Sequence, residues 1–205
     1  MTIKEKLLKY ESTKSANDYL KKDGNIPVII TASHTMKQTR DDGTIKLNEP
    51  FTKAIAMYVS NELNTFHLIK IKDTGIDSNS LKEDEFKNEL IKTIKNNNIK
   101  LVIDLHGASK ERDFDVEFGT LNHLSADFST IKELEDAFHE NGVLNVSMNQ
   151  LFKGGGITQT VYGNTSVDVI QLEINGNYRN INDIDKIEKI CLALIQFIKQ
   201  YSNYL

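Results

Sequence analysis

The segment that most constrains this fold is Leu101-Val102-Ile103-Asp104-Leu105-His106-Gly107. An apolar run of this length, bounded by polar residues, reads as a strand buried on both faces of an α/β sheet. It ends in an acid, a histidine and a glycine. Open α/β sheets bind ligands outside the carboxyl ends of their strands, so polar side chains there are candidates for chemistry. Val28-Ile29-Ile30-Thr31-Ala32-Ser33-His34 and Val169-Ile170-Gln171-Leu172-Glu173 follow the same pattern. Three strand ends thus deliver His, His and Glu.

Between these runs the spacing predicts an alternation of strands and helices. A helix is expected over residues 3–22, and a strand over 26–32. A polar segment over 35–46 has a turn at Asp42-Gly43. Asn48-Glu49-Pro50 opens a helix, since Pro is favoured in a first helical turn. A strand at 66–71, an amphipathic helix at 83–97 and the strand at 100–105 complete the first part. Further on come a strand at 115–121 and a short helix at 130–140, capped by Ser129 or Thr130. Gly154-Gly155-Gly156 reads as a flexible or close-approach element. A strand at 167–174 and a closing helix at 182–201, capped by Asn182, end the chain. This order predicts a largely parallel sheet with helices on both faces, in one domain spanning residues 1–205.

Composition narrows the partners. A net charge of -4 over 205 residues supplies no basic patch for nucleic acid. No segment has the length of a membrane span, and the charged N-terminus has no signal-peptide pattern. The lone Cys191 cannot form an internal disulfide and sits in an apolar helical context, which suits an inert core thiol. A reducing, cytoplasmic setting is expected.

The candidate chemistry rests on few residues. His34 and His106 suit a metal, because neutral imidazole is the commonest protein ligand. Three protein ligands beside an open position make a catalytic zinc site, and Glu49 is the best third ligand. Its plain alternative is a first-turn acid complementing a helix dipole. Asp104, two residues before His106, shares its face of the strand and can orient its ring. Glu173 lies on a strand face that would bury it, so it either pairs with a cation or acts as general base. Arg112, one of three arginines, follows His106 and can bind a carboxylate or polarise a carbonyl. Lys153, Thr158 and Tyr162 flank the glycine triplet, which could form a mobile flap over the site. Two other readings use the same residues: a binding protein that captures acidic ligands through Arg112 and Lys153, and a metal-free fold with two buried histidines.

In their order along the chain these blocks resemble the N-formylglutamate amidohydrolase (deformylase) family. The similarity is carried by Ala32-Ser33-His34 with Glu49, by Ile103-Asp104-Leu105-His106-Gly107 with Arg112-Asp113-Phe114-Asp115 and Phe118-Gly119-Thr120, and by Phe152-Lys153-Gly154-Gly155-Gly156-Ile157-Thr158, Tyr162-Gly163 and Ile170-Gln171-Leu172-Glu173-Ile174. The resemblance implies a three-layer αβα fold like that of zinc carboxypeptidases (phosphorylase/hydrolase-like), with a mixed, mainly parallel sheet. It implies His34, Glu49 and His106 as ligands of Zn2+ or another divalent metal, and Glu173 as the base. It also implies hydrolysis of an amide in a small acidic N-acyl amino acid. Poly-γ-glutamate and peptide hydrolases of the same fold remain alternatives.

Overall fold

The computed structural model describes residues 1–40 and 42–203. Its centre is a seven-stranded mixed sheet. The strands are β1 (Tyr19–Lys22), β2 (Ile26–Ala32), β5 (Thr65–Lys70), β6 (Leu101–Ala108), β7 (Val116–Gly119), β8 (Val146–Met148) and β9 (Asp168–Asn175), and β3 (Gln38–Thr39) and β4 (Ile45–Lys46) form a separate small hairpin. The sheet order is β1-β5-β2-β6-β9-β7-β8. The inner four strands, β5, β2, β6 and β9, are parallel; β1 and β7 run antiparallel to their inner neighbours. The three-layer α/β architecture with a mostly parallel sheet is therefore present.

Helices cover both faces. On one side lie α1 (Ile3–Glu11), α2 (Thr52–Leu63), α4 (Phe128–Glu140) and α6 (Ile184–Ser202). Their apolar stripes meet Val28, Ile30, Ile103, Leu105, Ile170 and Leu172 in one continuous core. On the other side lie α3 (Glu85–Asn96) and α5 (Gly156–Asn164), whose Phe86, Leu90, Ile157 and Val161 cover Ile29, Phe66, Leu68, Val102 and Val169. Cys191 is buried in the first core, and burial raises its thiol pKa. Among the described residues no helix is long and apolar enough to cross a membrane.

Several boundaries differ from expectation for local reasons. The first helix ends at Glu11, not residue 22; Ser12 caps it, and Tyr19–Lys22 instead pairs with β5 as an edge strand. The Thr2/Glu5 capping box secures its start, whereas no such signal supports helix beyond Ser12. α2 begins at Thr52, because Phe51 takes a left-handed conformation (φ 66°). Glu49 therefore sits in the turn ahead of the helix, so it is no first-turn acid. The cap position of α4 is Asp127, two or three residues before the expected Ser129 or Thr130, and that of α6 is Asp183, one residue after the expected Asn182. The glycine triplet opens α5, a helix the periodicity does not announce.

That triplet is a close-approach element and not a flap. A Cβ on Gly156 would lie 1.8 Å from the Ser80 carbonyl oxygen, and one on Gly155 would lie 2.3 Å from the Asn79 side chain. The Gly156 N–H donates to the Asn79 carbonyl at 2.8 Å, and the Ile157 N–H donates to Asn79 Oδ1 at 3.1 Å. Backbone packed this tightly is a fixed joint.

Candidate metal centre and active site

The parallel register explains why distant residues meet. His106 on β6 stands opposite Glu173 on β9, and Glu173 stands opposite Glu117 on β7. One strand step earlier, Thr31, Asp104 and Gln171 form a second polar row on the same face. His34 follows β2 at the same end of the sheet. Its carbonyl accepts the Glu49 N–H at 2.8 Å, so the backbone itself ties these two residues together.

His34, Glu49 and His106 converge: one potential ligand atom from each lies within 4.8 Å of the others, and all three residues are buried. His34 Nδ1 lies 3.0 Å from Glu49 Oε1 and 3.0 Å from His106 Nδ1. The opposite ring nitrogens are both committed. His106 Nε2 donates to Asp104 Oδ2 at 2.9 Å, and His34 Nε2 donates to Asp77 Oδ1 at 2.7 Å. Asp104 is held in turn by the Thr31 hydroxyl at 2.7 Å. With both Nε2 atoms turned to carboxylates, both Nδ1 atoms face one spot beside a carboxylate oxygen. A shared cation suits that donor set, and carboxylates behind metal-binding imidazoles are the usual way to orient them.

The electrostatics agree. Burial opposes ionisation of Glu49, but hydrogen bonds to His106 and His34 and their attraction hold its carboxyl well below the usual range. Burial works against protonation of His106, yet Asp104 and Glu49 together raise it well above the ordinary imidazole value. Burial likewise opposes ionisation of Asp77, but the hydrogen bond and charge of His34, the Asn79 N–H and the Arg40 charge together outweigh it, so the pKa of its carboxyl is lowered. Lys46 Nζ, from β4, forms an ion pair with Glu49 Oε1 at 2.7 Å, and the Gly107 N–H donates to Oε2 at 2.8 Å.

Glu173 differs from its neighbours. Burial raises its pKa, attraction to His106 lowers it, and repulsion from Glu49 raises it again; the net shift is upward. Gln171 Nε2 donates to Glu173 Oε1 at 2.9 Å, while Gln171 Oε1 accepts the Gly155 N–H at 2.7 Å. No direct ion pair to a lysine or arginine holds Glu173 among the described residues. Its carboxylate faces a cavity of about 410 Å³, also lined by His34, Glu49, His106, Asp77, Asn79, Arg40, Lys46, Arg112 and Phe152. The shape is a small pocket with an anionic floor and a cationic rim.

Of the other expected site residues, Arg112 alone lines the cavity. Arg112 lies exposed at the cavity rim, with its guanidinium 5.9 Å from the Phe152 ring centroid. Lys153, Thr158 and Tyr162 are not among the cavity-lining residues. Thr158 is fully buried on α5 against Gly154, and Tyr162 is exposed on the same helix. For Thr158 and Tyr162 the reason is that they lie on α5, whereas Lys153 lies in the loop before it.

Three contributors were not apparent from the sequence. Asp77 lies in a polar loop with no local signal beyond its charge. Arg40 is carried on the β3–β4 turn, with Nε 3.7 Å from Asp77 Oδ2. Arg179 is buried and donates to the carbonyls of Ile174, Pro50 and Ala108 at 3.0, 2.7 and 2.9 Å. It thereby clamps the ends of β6 and β9 to the turn that carries Glu49. Gly107 has no side chain because Arg179 is there: a Cβ would lie 2.4 Å from its Cζ.

Comparison with known proteins now bears on this site. The fold is that of zinc-carboxypeptidase-like and amidase hydrolases. A putative carboxypeptidase A from Shewanella denitrificans OS-217 superposes with a TM-score of 0.51 at 14% identity, covering 89% of this chain and 61% of that one. A bacteriophage poly-gamma-glutamate hydrolase gives 0.60 at 10% identity, covering 95% and 94%. The N-formylglutamate amidohydrolase from Ralstonia eutropha JMP134 gives 0.61 at 11% identity, covering 91% and 97%. Residues 84–178 match the family model of N-formylglutamate amidohydrolase. No curated protein matches by sequence. Over residues 84–178 the chain therefore resembles the N-formylglutamate amidohydrolase family, and it shares its fold with amidases and carboxypeptidase-like hydrolases.

Proposed function

We propose that this protein is a zinc-dependent hydrolase of the amide bond in a small acidic N-acyl amino acid, with N-formylglutamate as the model substrate. The observation that carries the reading is the convergence of His34, Glu49 and His106 beside Glu173 in one small pocket with a cationic rim. A bound divalent cation would supply an acidified water and a polarised carbonyl. Glu173, with its raised pKa, accepts the proton of the attacking water and delivers it to the departing nitrogen. Gln171 keeps the carboxylate aimed. Arg112 receives a substrate carboxylate or the developing negative charge. Asp104 and Asp77 hold the imidazoles in the tautomer that leaves both Nδ1 atoms free to ligate.

The test is formate release from N-formylglutamate by the purified protein, before and after chelation and again with zinc restored. Chelator-sensitive release that zinc revives supports the reading. No release in the zinc-loaded state rejects this substrate. If the acidic ligand nevertheless binds, the protein is a binding protein for acidic metabolites. A second reading, cleavage of poly-γ-glutamate or a peptide, is favoured by the likeness to the phage hydrolase; polymer shortening in the same assay separates the two. A reducing cytoplasm belongs to the same proposal and rests on the lone, buried thiol.

A further inference from the structure

Of the cations around the pocket, three are already engaged. Lys46 is bonded to Glu49, Arg40 lies beside Asp77, and Arg179 is consumed by three carbonyls. Among the described residues the Arg112 guanidinium has no carboxylate partner; its neighbour is the face of Phe152. A guanidinium within about 6 Å of an aromatic centroid is attracted by the ring, and the stack limits its rotation while leaving its N–H edge free.

Phe152 is itself held from two directions. Its ring meets Phe114 edge-on, with centroids 6.2 Å apart and planes at 88°. Its backbone N–H donates to Glu117 Oε1 at 2.8 Å, and the Leu151 N–H donates to the same oxygen at 2.6 Å. Glu117 is fully buried on β7, directly opposite Glu173. Two charge-assisted bonds from a buried carboxylate hold a loop far more firmly than exposed contacts would. The catalytic row of the sheet and the wall of the pocket thus share one anchor.

We propose that Phe152, seated by Glu117, is a positioning residue that aims the Arg112 guanidinium into the pocket and sets the preference for a substrate bearing a free carboxylate. This rests on the proposed amidohydrolase activity and refines its substrate class. The ring never touches the reacting atoms; it acts through Arg112.

The experiment compares N-formylglutamate with N-formylglutamine and N-formylisoglutamine, which lack one carboxylate each, in the zinc-loaded parent and in Phe152→Leu, Phe152→Tyr and Arg112→Lys. The readout is the ratio of kcat/KM for the diacid to that for each monoamide. In the parent the larger ratio identifies the carboxylate that Arg112 meets. Phe152→Leu keeps the apolar volume and should lower that ratio roughly two- to fivefold, mainly through KM. Phe152→Tyr should restore it, and Arg112→Lys should abolish it. An unchanged ratio in Phe152→Leu, or an equal loss for all three substrates, overturns the proposal. A parent that hydrolyses none of them defeats the amidohydrolase reading instead, so the two failures are distinct.

Discussion

The two faces of the central sheet are made from the same strands and serve opposite ends. Toward α2, α4 and α6, the residues Ile30, Ile103, Leu105, Ile170 and Leu172 are all apolar and inaccessible to solvent. Toward α3 and α5 the face begins the same way, with Ile29, Val102 and Val169, and then changes character. Its next row is Thr31, Asp104 and Gln171, and the row after that holds His106 and Glu173. The lesson is that polarity enters by position along the strand and by face, not by strand. A buried acid is tolerated in the second row because Thr31 and His106 satisfy Asp104. The chemistry then occupies the row beyond the helical cover.

The sharpest way to break this contrast is to alter adjacent residues that point to opposite faces. Glu173→Gln should lower kcat by about 10²–10⁴-fold, the usual contribution of a general base, with bound zinc and the unfolding midpoint nearly unchanged. Elemental analysis and denaturant titration on the same preparation check both halves. Equal turnover would remove Glu173 from the mechanism. Leu172→Ala should do the reverse. Truncating this fully buried side chain should cost about 2–5 kcal/mol of stability while the KM of the folded fraction stays put. A selective loss of turnover there would mean the apolar face also shapes the site.

His67 on β5 tests how dry the structure is at the other end of the sheet. Burial, with the nearby Lys22 charge adding to it, lowers its pKa from 6.5 to about 4. Its Nδ1 lies 2.7 Å from the Ser60 hydroxyl. The folded state thus resists a proton that the unfolded chain accepts. Above pH 6.5 the group is neutral in both states and has no effect. Stability should fall as pH drops through 6.5, and this contribution should level off near pH 4, for a total of roughly 2–4 kcal/mol. His67→Gln should flatten that part of the pH–stability curve, measured by urea midpoint; an unaltered slope would assign it to other groups.

The smallest effect is expected where polarity only supports the site. Asp77→Asn keeps the size of the side chain but weakens its hold on His34 Nε2. Zinc affinity should fall roughly 10–100-fold, read by competition with a chromogenic chelator, with the fold intact. Asp104→Asn should behave alike toward His106. If only the Asp104 variant weakens binding, the His34 side of the centre is less constrained than its 2.7 Å contact with Asp77 implies.

Much of this was legible beforehand, and the reasons are local. The buried strands are short apolar runs, so β2, β6 and β9 and the polar residues at their ends could be read directly. Asp104 and His106 had to share a face because side chains alternate in a strand. The helix expected to run on to residue 22 was misread because an edge strand such as β1 is specified by its partner more than by its own pattern. α5 escaped notice because it is short, opens on glycine and draws its stability from packing against residues 79–80. Lys153, Thr158 and Tyr162 looked like a flap for the same reason.

The amino-acid order alone thus determined the alternation of elements and which strand ends carry His34, His106 and Glu173, because burial imposes periodicity on each element separately. It could not decide that Asp77 stands behind His34, that Glu117 holds the Phe152 loop or that Arg179 clamps three segments. Those side chains gain their partners only when parallel register and loop closure bring distant carbonyls, amides and rings within hydrogen-bonding or van der Waals reach.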